Sequence, residues 1–189
     1  MRYIRAALAV LMLCMSVSAA AAEESGLGGL NVIAGEKSVR ITLSADMVGD
    51  ATEKEISASV GESGSYTGYE IHEDGSVTYV MSRAKYDEML GGLKASVDEC
   101  IAMLLEGDQE VDSFVRIEYD EGLTDIVIYV DGDTFTTWDS MNGLSFYIYG
   151  AYYQTFLGVP GDKIDVVVSF VDDESGEVLG STSYQDYIR

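Results

Sequence analysis

Hydrophobic and polar residues alternate along several short runs of this chain, a pattern with period two that is typical of strands with one buried face. The first run contains Val39, Ile41 and Leu43, separated by polar residues. Later runs come in pairs joined by turn-forming residues such as Asp74-Gly75, where glycine tolerates the positive φ angle that a tight hairpin needs. We therefore predict one strand followed by three hairpins, within residues 69–79, 115–130 and 164–184.

Two other segments have the three- and four-residue spacing of amphipathic helices. Thr52 and Glu55 form a capping-box pattern ahead of a short helix. Apolar residues recur at helical spacing from Ser82 to Gly107, which predicts a long helix. Gly91-Gly92 inside it costs about 2 kcal/mol relative to two alanines, and a close helix crossing is one reason to tolerate that cost.

Residues 140–161 form a third helical segment, SMNGLSFYIYGAYYQTFLGVPG, which contains no charged residue. We predict that Ser140 caps this helix and that Gly158 and Pro160 end it after Leu157. Asn142 and the other interruptions argue against a transmembrane span, which requires a long apolar run.

The apolar arc of this helix is wider than one sheet contact needs. One face carries Met141, Leu144, Ile148, Ala151, Tyr152 and Thr155, the adjacent arc carries Phe146, Tyr149, Tyr153 and Phe156, and Gly143 and Gly150 fall near the back. Two interpretations follow: a fully buried helix, or a helix whose aromatic edge is exposed for a ligand or partner.

This order of elements predicts an α+β fold with two layers. We expect a mostly antiparallel sheet built from hairpins, with two long helices and one short helix on one face. The first six elements also follow the β-α-β-β-α-β order of ferredoxin-like folds. We assign residues 1–22 to a signal peptide, 23–36 to an N-terminal tether with a possible edge strand, and 37–189 to a single domain.

The first residues have the features of an export signal. Arg2 and Arg5 precede the apolar residues 6–17, and the small residues before Glu23 suit a signal peptidase. We expect cleavage before Glu23 and an extracellular or envelope-associated protein. Lipidation at Cys14 is disfavoured because the preceding residue, Leu13, is not small.

The formal net charge of −22 limits the classes of partner. Such a surface repels nucleic acid and anionic lipid headgroups, so we expect no nucleic-acid binding. The interruptions of the aromatic helix lead us to expect no transmembrane helix in the mature chain. After cleavage Cys100 is the only cysteine, which excludes an intramolecular disulfide and a cysteine-based zinc site.

Candidate residues for chemistry are few. His72, the only histidine, is predicted to be an exposed polar strand residue beside a hairpin turn, and Cys100 lies on an apolar helix face where core packing is favoured. No catalytic motif is present, so we expect no catalytic residues, no cofactor, no metal and no enzymatic activity. The acidic clusters 131–133 and 172–174 do not fit the EF-hand pattern and are predicted to be solvated loops.

Two segments, DGSVTYVMSRAKYDEML and GAYYQTFLGV, resemble a group of small exported or lipid-anchored proteins of Gram-positive gut anaerobes. Some members carry a label after the N-terminal region of surface antigen I/II adhesins. The similarity runs over about residues 39–184. The resemblance implies export, and it brings neither a reaction nor catalytic residues.

Export, an acidic surface and the lack of a catalytic set together suggest a non-catalytic domain that binds an extracellular protein, peptide or glycan. The candidate binding residues are Trp138, Tyr149 and Tyr153, because aromatic side chains dominate interface energetics. Two alternatives stay open: a secreted hydrolase that uses acidic residues, and a structural protein that forms a homo-oligomer through the aromatic helix.

Overall fold

The computed structural model describes residues 29–106 and 110–187. The predicted signal peptide and the first part of the predicted tether lie outside these residues. The described strands are β1 Leu30–Ala34, β2 Ser38–Leu43, β3 Tyr66–Ile71, β4 Val77–Ser82, β5 Phe114–Tyr119, β6 Asp125–Val130, β7 Val167–Asp172 and β8 Val178–Ser183. The described α-helices are α1 Ala45–Val48, α2 Glu53–Ser63, α3 Arg83–Glu106, α4 Thr137–Ser140, α5 Leu144–Phe156 and α6 Tyr184–Tyr187.

These strands form two four-stranded sheets, with the orders β1-β2-β4-β3 and β5-β6-β7-β8. The predicted α+β class is confirmed, but the strands do not join into one sheet. β5 pairs with β6 in the second sheet instead of entering the first, so the ferredoxin-like arrangement is wrong. Alternation identifies a strand and its hairpin partner, whereas the assignment of hairpins to sheets depends on contacts between distant residues.

One strand pair departs from the antiparallel pattern. β6 and β7 run parallel, while the other pairs in both sheets are antiparallel. The chain between β6 and β7 contains α4 and α5, because a parallel pair needs a crossover connection that returns the chain to the starting end of the sheet. The second sheet is therefore two hairpins joined through a helical crossover.

The described residues divide into two compact units. The first comprises residues 29–93 with 155–162, and the second comprises residues 94–154 with 163–187. The single domain expected over residues 37–189 stays a prediction.

The first unit is built around β2 and β4. Val39, Ile41 and Leu43 are buried, as the alternating pattern predicted. β1 pairs with β2 at the edge of this sheet, so the end of the predicted tether is a strand. The predicted capping box is also present, since the Thr52 side chain accepts from the Glu55 backbone N–H and the Glu55 carboxylate accepts from that of Thr52.

The two central glycines of the long helix α3 are not explained by close packing. A Cβ added at Gly91 meets no heavy atom within 4 Å, so no close helix crossing occupies this position. The close-crossing interpretation is therefore wrong. Ser82 does assist the start of the helix, because its Oγ accepts the backbone N–H of Lys85 at 3.3 Å.

The second unit places α5 against the inner face of the second sheet. That face is formed by buried aliphatic and aromatic residues: Ile126, Ile128, Val130, Val168 and Phe170. The predicted helix over residues 140–157 is divided into α4, a 3₁₀ turn at Met141–Gly143 and α5. Thr136, rather than Ser140, caps α4, and it does so reciprocally with Asp139. Within the described residues, no helix combines the length and apolarity needed to cross a bilayer.

Candidate binding surface

The three predicted binding residues differ in their exposure to solvent. Trp138 is exposed at 80%, Tyr149 is half-buried, and Tyr153 is buried at 6%. Lys94 Nζ lies 5.2 Å from the centroid of the Tyr153 ring. Burial, followed by the nearby Cys100 and Glu99, raises the pKa of Tyr149. Trp138 is therefore the member of the set that is freely accessible to a partner.

The aromatic edge that we considered for a ligand is largely covered. Phe146 and Phe156 are both buried, and Tyr149 alone among the four edge residues is partly accessible. Three exposed apolar residues of this segment belong to the face that carries Met141, Leu144 and Ile148, so neither a fully buried helix nor an exposed aromatic edge describes it. We call four exposed residues the apolar stripe: Trp138 at 80%, Met141 at 54%, Leu144 at 41% and Ile148 at 58%.

Two glycines explain why the helix presents this face to solvent. A Cβ added at Gly143 would lie 3.0 Å from Phe170 Cζ, and one at Gly150 would lie 2.6 Å from Val166 Cγ2. The glycine arc therefore packs on the sheet, where it allows the two backbones to approach closely. The seven-residue spacing of Gly143 and Gly150 on one arc was the sequence signal that could have revealed this orientation.

The apolar stripe is continuous along the helical segment. Its members are separated by three, three and four residues, which places them on one side of the helix. Single exposed apolar residues are common on protein surfaces, whereas a contiguous row often marks a site of interaction. The row is more notable here because it occurs in a chain with 33 acidic residues.

A groove lies beside the apolar stripe, between the helical segment and β8. It has a volume of about 230 Å³. Its lining contains no charged side chain and consists of Phe135, Thr137, Ser140, Gly143, Tyr147, Val168, Phe170, Leu179, Gly180, Ser181 and Thr182. The rings of Phe135 and Phe170 stack with centroids 5.0 Å apart. Tyr147 Oη donates to the carbonyl oxygen of Thr182 at 3.0 Å, so it ties the helix to β8.

A second hollow contains three carboxylates, from Glu110, Asp112 and Asp139. Asp139 accepts hydrogen bonds from Thr136 and, at 3.1 Å, from Ser113 Oγ. The backbone N–H of Thr136 is the main cause of its lowered pKa. General acids in hydrolases need a raised pKa, so this carboxylate is tuned in the opposite direction.

The single histidine and the single cysteine of the expected mature chain both have protein partners. His72 is half-buried and follows the last residue of β3, so the prediction of an exposed strand residue is wrong. Its Nε2 lies 2.7 Å from Thr78 Oγ1, a contact that draws the ring against the hairpin. Cys100 is buried at 7% with its Sγ 3.6 Å from Ser145 Oγ, as core packing predicted.

The two acidic clusters, residues 131–133 and 172–174, lie next to each other. Asp172 accepts the backbone N–H of Gly132 at 2.9 Å, and its hydrogen bond from the Ser175 hydroxyl contributes most to lowering its pKa. Asp173 forms an ion pair with Arg116 at 3.1 Å. These carboxylates cap turns, and residues 29–106 and 110–187 contain no group of three or more potential metal ligands.

Comparison with known proteins adds no family to this description. No protein-family model, curated protein or solved structure matches the chain. The resemblance to exported proteins of Gram-positive anaerobes therefore stays a prediction.

Proposed function

We propose that this chain is an exported, non-catalytic domain that binds another protein through the apolar stripe. One observation carries the proposal: Trp138, Met141, Leu144 and Ile148 form an exposed row without charge in a strongly acidic chain. Burying this row against a partner would remove apolar surface from water, which stabilises an interface by about 25 cal/mol for each Å².

The composition of the stripe favours a protein over a glycan. Sugar rings stack on flat aromatic faces and need polar groups around them, whereas Met141, Leu144 and Ile148 offer flexible aliphatic contacts. Trp138 supplies the one large aromatic side chain, of the type that most often dominates binding energy at protein interfaces. We therefore expect Trp138 to be the main anchor of the contact, with the aliphatic residues extending the contact along the stripe.

Site-specific photocrosslinking in the producing cells tests this function. We would place a photoreactive phenylalanine analogue at Met141 or Ile148 of the full chain, with exposed Glu62 of the first unit as the matched control position. We expect a crosslinked protein from the two stripe positions and none from Glu62. Adding Trp138→Ser should reduce the crosslink at least about tenfold, the loss expected for an anchoring interface tryptophan.

The same samples separate the alternatives. Equal crosslinking from Glu62, or crosslinks that persist in the Trp138→Ser variant, would contradict the stripe as the binding surface. A product containing two copies of this chain would favour the homo-oligomer instead. Export has its own measurement, because the mature protein isolated from the cell exterior or envelope should begin at Glu23 by mass spectrometry.

A further inference from the structure

β8 forms the open edge of the second sheet beside the groove. It is the last strand in the order β5-β6-β7-β8. Its sequence, VLGSTS, contains no charged residue and no proline, which are common means of blocking an edge strand. Val178 and Leu179 are exposed at 59% and 42%. An edge of this kind can accept a further strand.

The hydrogen bonds between β7 and β8 determine which backbone groups face outward. The backbone N–H of Tyr184 donates to the carbonyl of Val166 at 2.8 Å, just beyond the pair Val167–Ser183. Bonded and non-bonded pairs alternate in an antiparallel ladder, so Thr182 is bonded to β7 and Ser181 belongs to a non-bonded pair. The N–H and the C=O of Ser181 therefore point away from β7, toward the open edge.

The groove lies on the face where an added strand would place alternate side chains. Gly180 is opposite Phe170 in the register, and Phe170 lines the groove. A Cβ added at Gly180 meets no heavy atom within 4 Å, so the space above this glycine is open. A strand paired with Ser181 would direct one of its side chains into this uncharged space, because side chains of a strand alternate between the two faces.

The charges near β8 favour a basic peptide over a second copy of this chain as the added strand. Glu174 and Glu177 are exposed in the turn that leads into β8. Two copies paired edge to edge would each bring the formal charge of −22 to the contact. A peptide with Lys or Arg next to Glu174 and Glu177 would instead be attracted to the edge.

We propose that an extended peptide segment of the partner protein adds an antiparallel strand to β8. The segment pairs with the N–H and the C=O of Ser181, inserts an apolar side chain above Gly180, and carries Lys or Arg at its C-terminal end near Glu177. This inference rests on the proposed function, since it describes how the partner contacts the surface beside the apolar stripe. It specifies the ligand for that function as an extended peptide with apolar and basic residues.

A synthetic peptide of about eight residues, slightly longer than β8, is the probe. It alternates Thr and Val, has one central Leu and ends in two Lys. Fluorescence anisotropy of a dye at the N-terminus of the peptide reports its binding to the full chain. We expect saturable binding and slower hydrogen exchange of the Ser181 amide. Replacing the two Lys by Glu should weaken binding.

Two substitutions at the edge test the pairing and the groove. Ser181→Pro removes the outward N–H but no ladder bond, a position where strands tolerate proline, and Ser181→Ala is its control. Gly180→Val fills the groove. Gly68→Val in β3 is its control, because both glycines lie next to a register shift and an added Cβ at either position meets no heavy atom within 4 Å. We expect about tenfold or greater weakening for Ser181→Pro and Gly180→Val, and unchanged binding for the controls.

A probe methylated on its backbone nitrogens provides the same test without changing the protein, so a misfolded proline variant leaves the inference testable. Equal binding of the methylated probe, equal binding by Ser181→Pro, or no binding by the wild-type chain would overturn the inference. Protection of the Ser181 amide that rises with protein concentration alone would indicate a second copy and overturn it too. Stripe crosslinks that survive both edge substitutions would overturn strand addition but leave the proposed function intact.

Discussion

Tyr119, at the end of β5, has a pKa well above the usual value for tyrosine. Its hydroxyl donates to Asp98 Oδ1 at 2.7 Å, and this hydrogen bond is the main reason that its pKa rises to about 12. Asp98 belongs to α3, so the bond joins a helix to a strand within the second unit. The pair is largely accessible to solvent, which limits its contribution to stability.

The pH dependence of this pair follows from the direction of the shift. The folded pKa lies above the unfolded value, so the contribution is complete below about pH 10 and is lost as the pH rises toward 12. We expect Tyr119→Phe to lower the free energy of unfolding by about 0.5–1 kcal/mol at neutral pH. Urea unfolding at several pH values would measure this difference.

The difference between Tyr119→Phe and the wild type should vanish toward pH 12, because the wild type then loses the same hydrogen bond. Asp98→Asn is the matched control, since it keeps an acceptor but removes the charge. It should show a smaller alkaline loss than the wild type. A Tyr119→Phe difference that stays constant across this range would show that the hydrogen bond does not control the titration.

At the scale of elements, the packing of α5 depends on what its glycines contact. Gly150 faces Val166 and the backbone carbonyl of Leu123, and an added Cβ would lie 2.8 Å from that carbonyl oxygen. The same residue type in α3 faces open space at Gly91. Two helix glycines with equal intrinsic cost therefore have different structural roles, and substitution can separate them.

We expect opposite effects from alanine at these two positions. Gly91→Ala should raise the free energy of unfolding by about 0.5–1 kcal/mol, because alanine is the better helix former and meets no obstruction. Gly150→Ala should lower it by about 1–3 kcal/mol, because overpacking against Val166 exceeds the helix-propensity gain. Chemical denaturation of both variants measures the pair, and stabilisation by Gly150→Ala would show that α5 does not pack through its glycine arc.

For the whole molecule, repulsion between like charges is the dominant long-range contribution to stability. The chain has 33 acidic residues against 11 basic ones. Its described ion pairs, such as Arg40 with Glu70 and Lys85 with Glu88, are exposed and each contributes at most about 1 kcal/mol. Repulsion among the remaining carboxylates therefore outweighs these attractions at low ionic strength.

Added salt should consequently stabilise the protein. We expect the Tm to rise by about 3–5 °C between low salt and about 0.15 M NaCl, where the Debye length falls to about 8 Å. KCl at the same ionic strength serves as the control and should give the same rise, which would exclude a specific sodium effect. A Tm that falls with salt would mean that attractive ion pairs dominate after all.

Much of the local structure could be predicted from the sequence. Alternation at Val39, Ile41 and Leu43 identified a buried strand face, and the Thr52–Glu55 capping box identified the start of α2. Of the candidate binding surface, only Trp138 was identified as an accessible residue. The rest of the apolar stripe was not predicted to be exposed, because a helical wheel with apolar residues on most sides does not define the buried arc.

Local sequence was enough to predict the strands, the hairpin turns, the Thr52–Glu55 capping box and the acidic surface, since these depend on neighbouring residues and composition. It did not predict that the hairpins form two sheets, that Gly143 and Gly150 face one of them, or that β8 is an open edge beside a groove. The physical reason is that each of these features depends on close packing between residues far apart in the chain, where a single glycine can set which side of a helix meets the sheet.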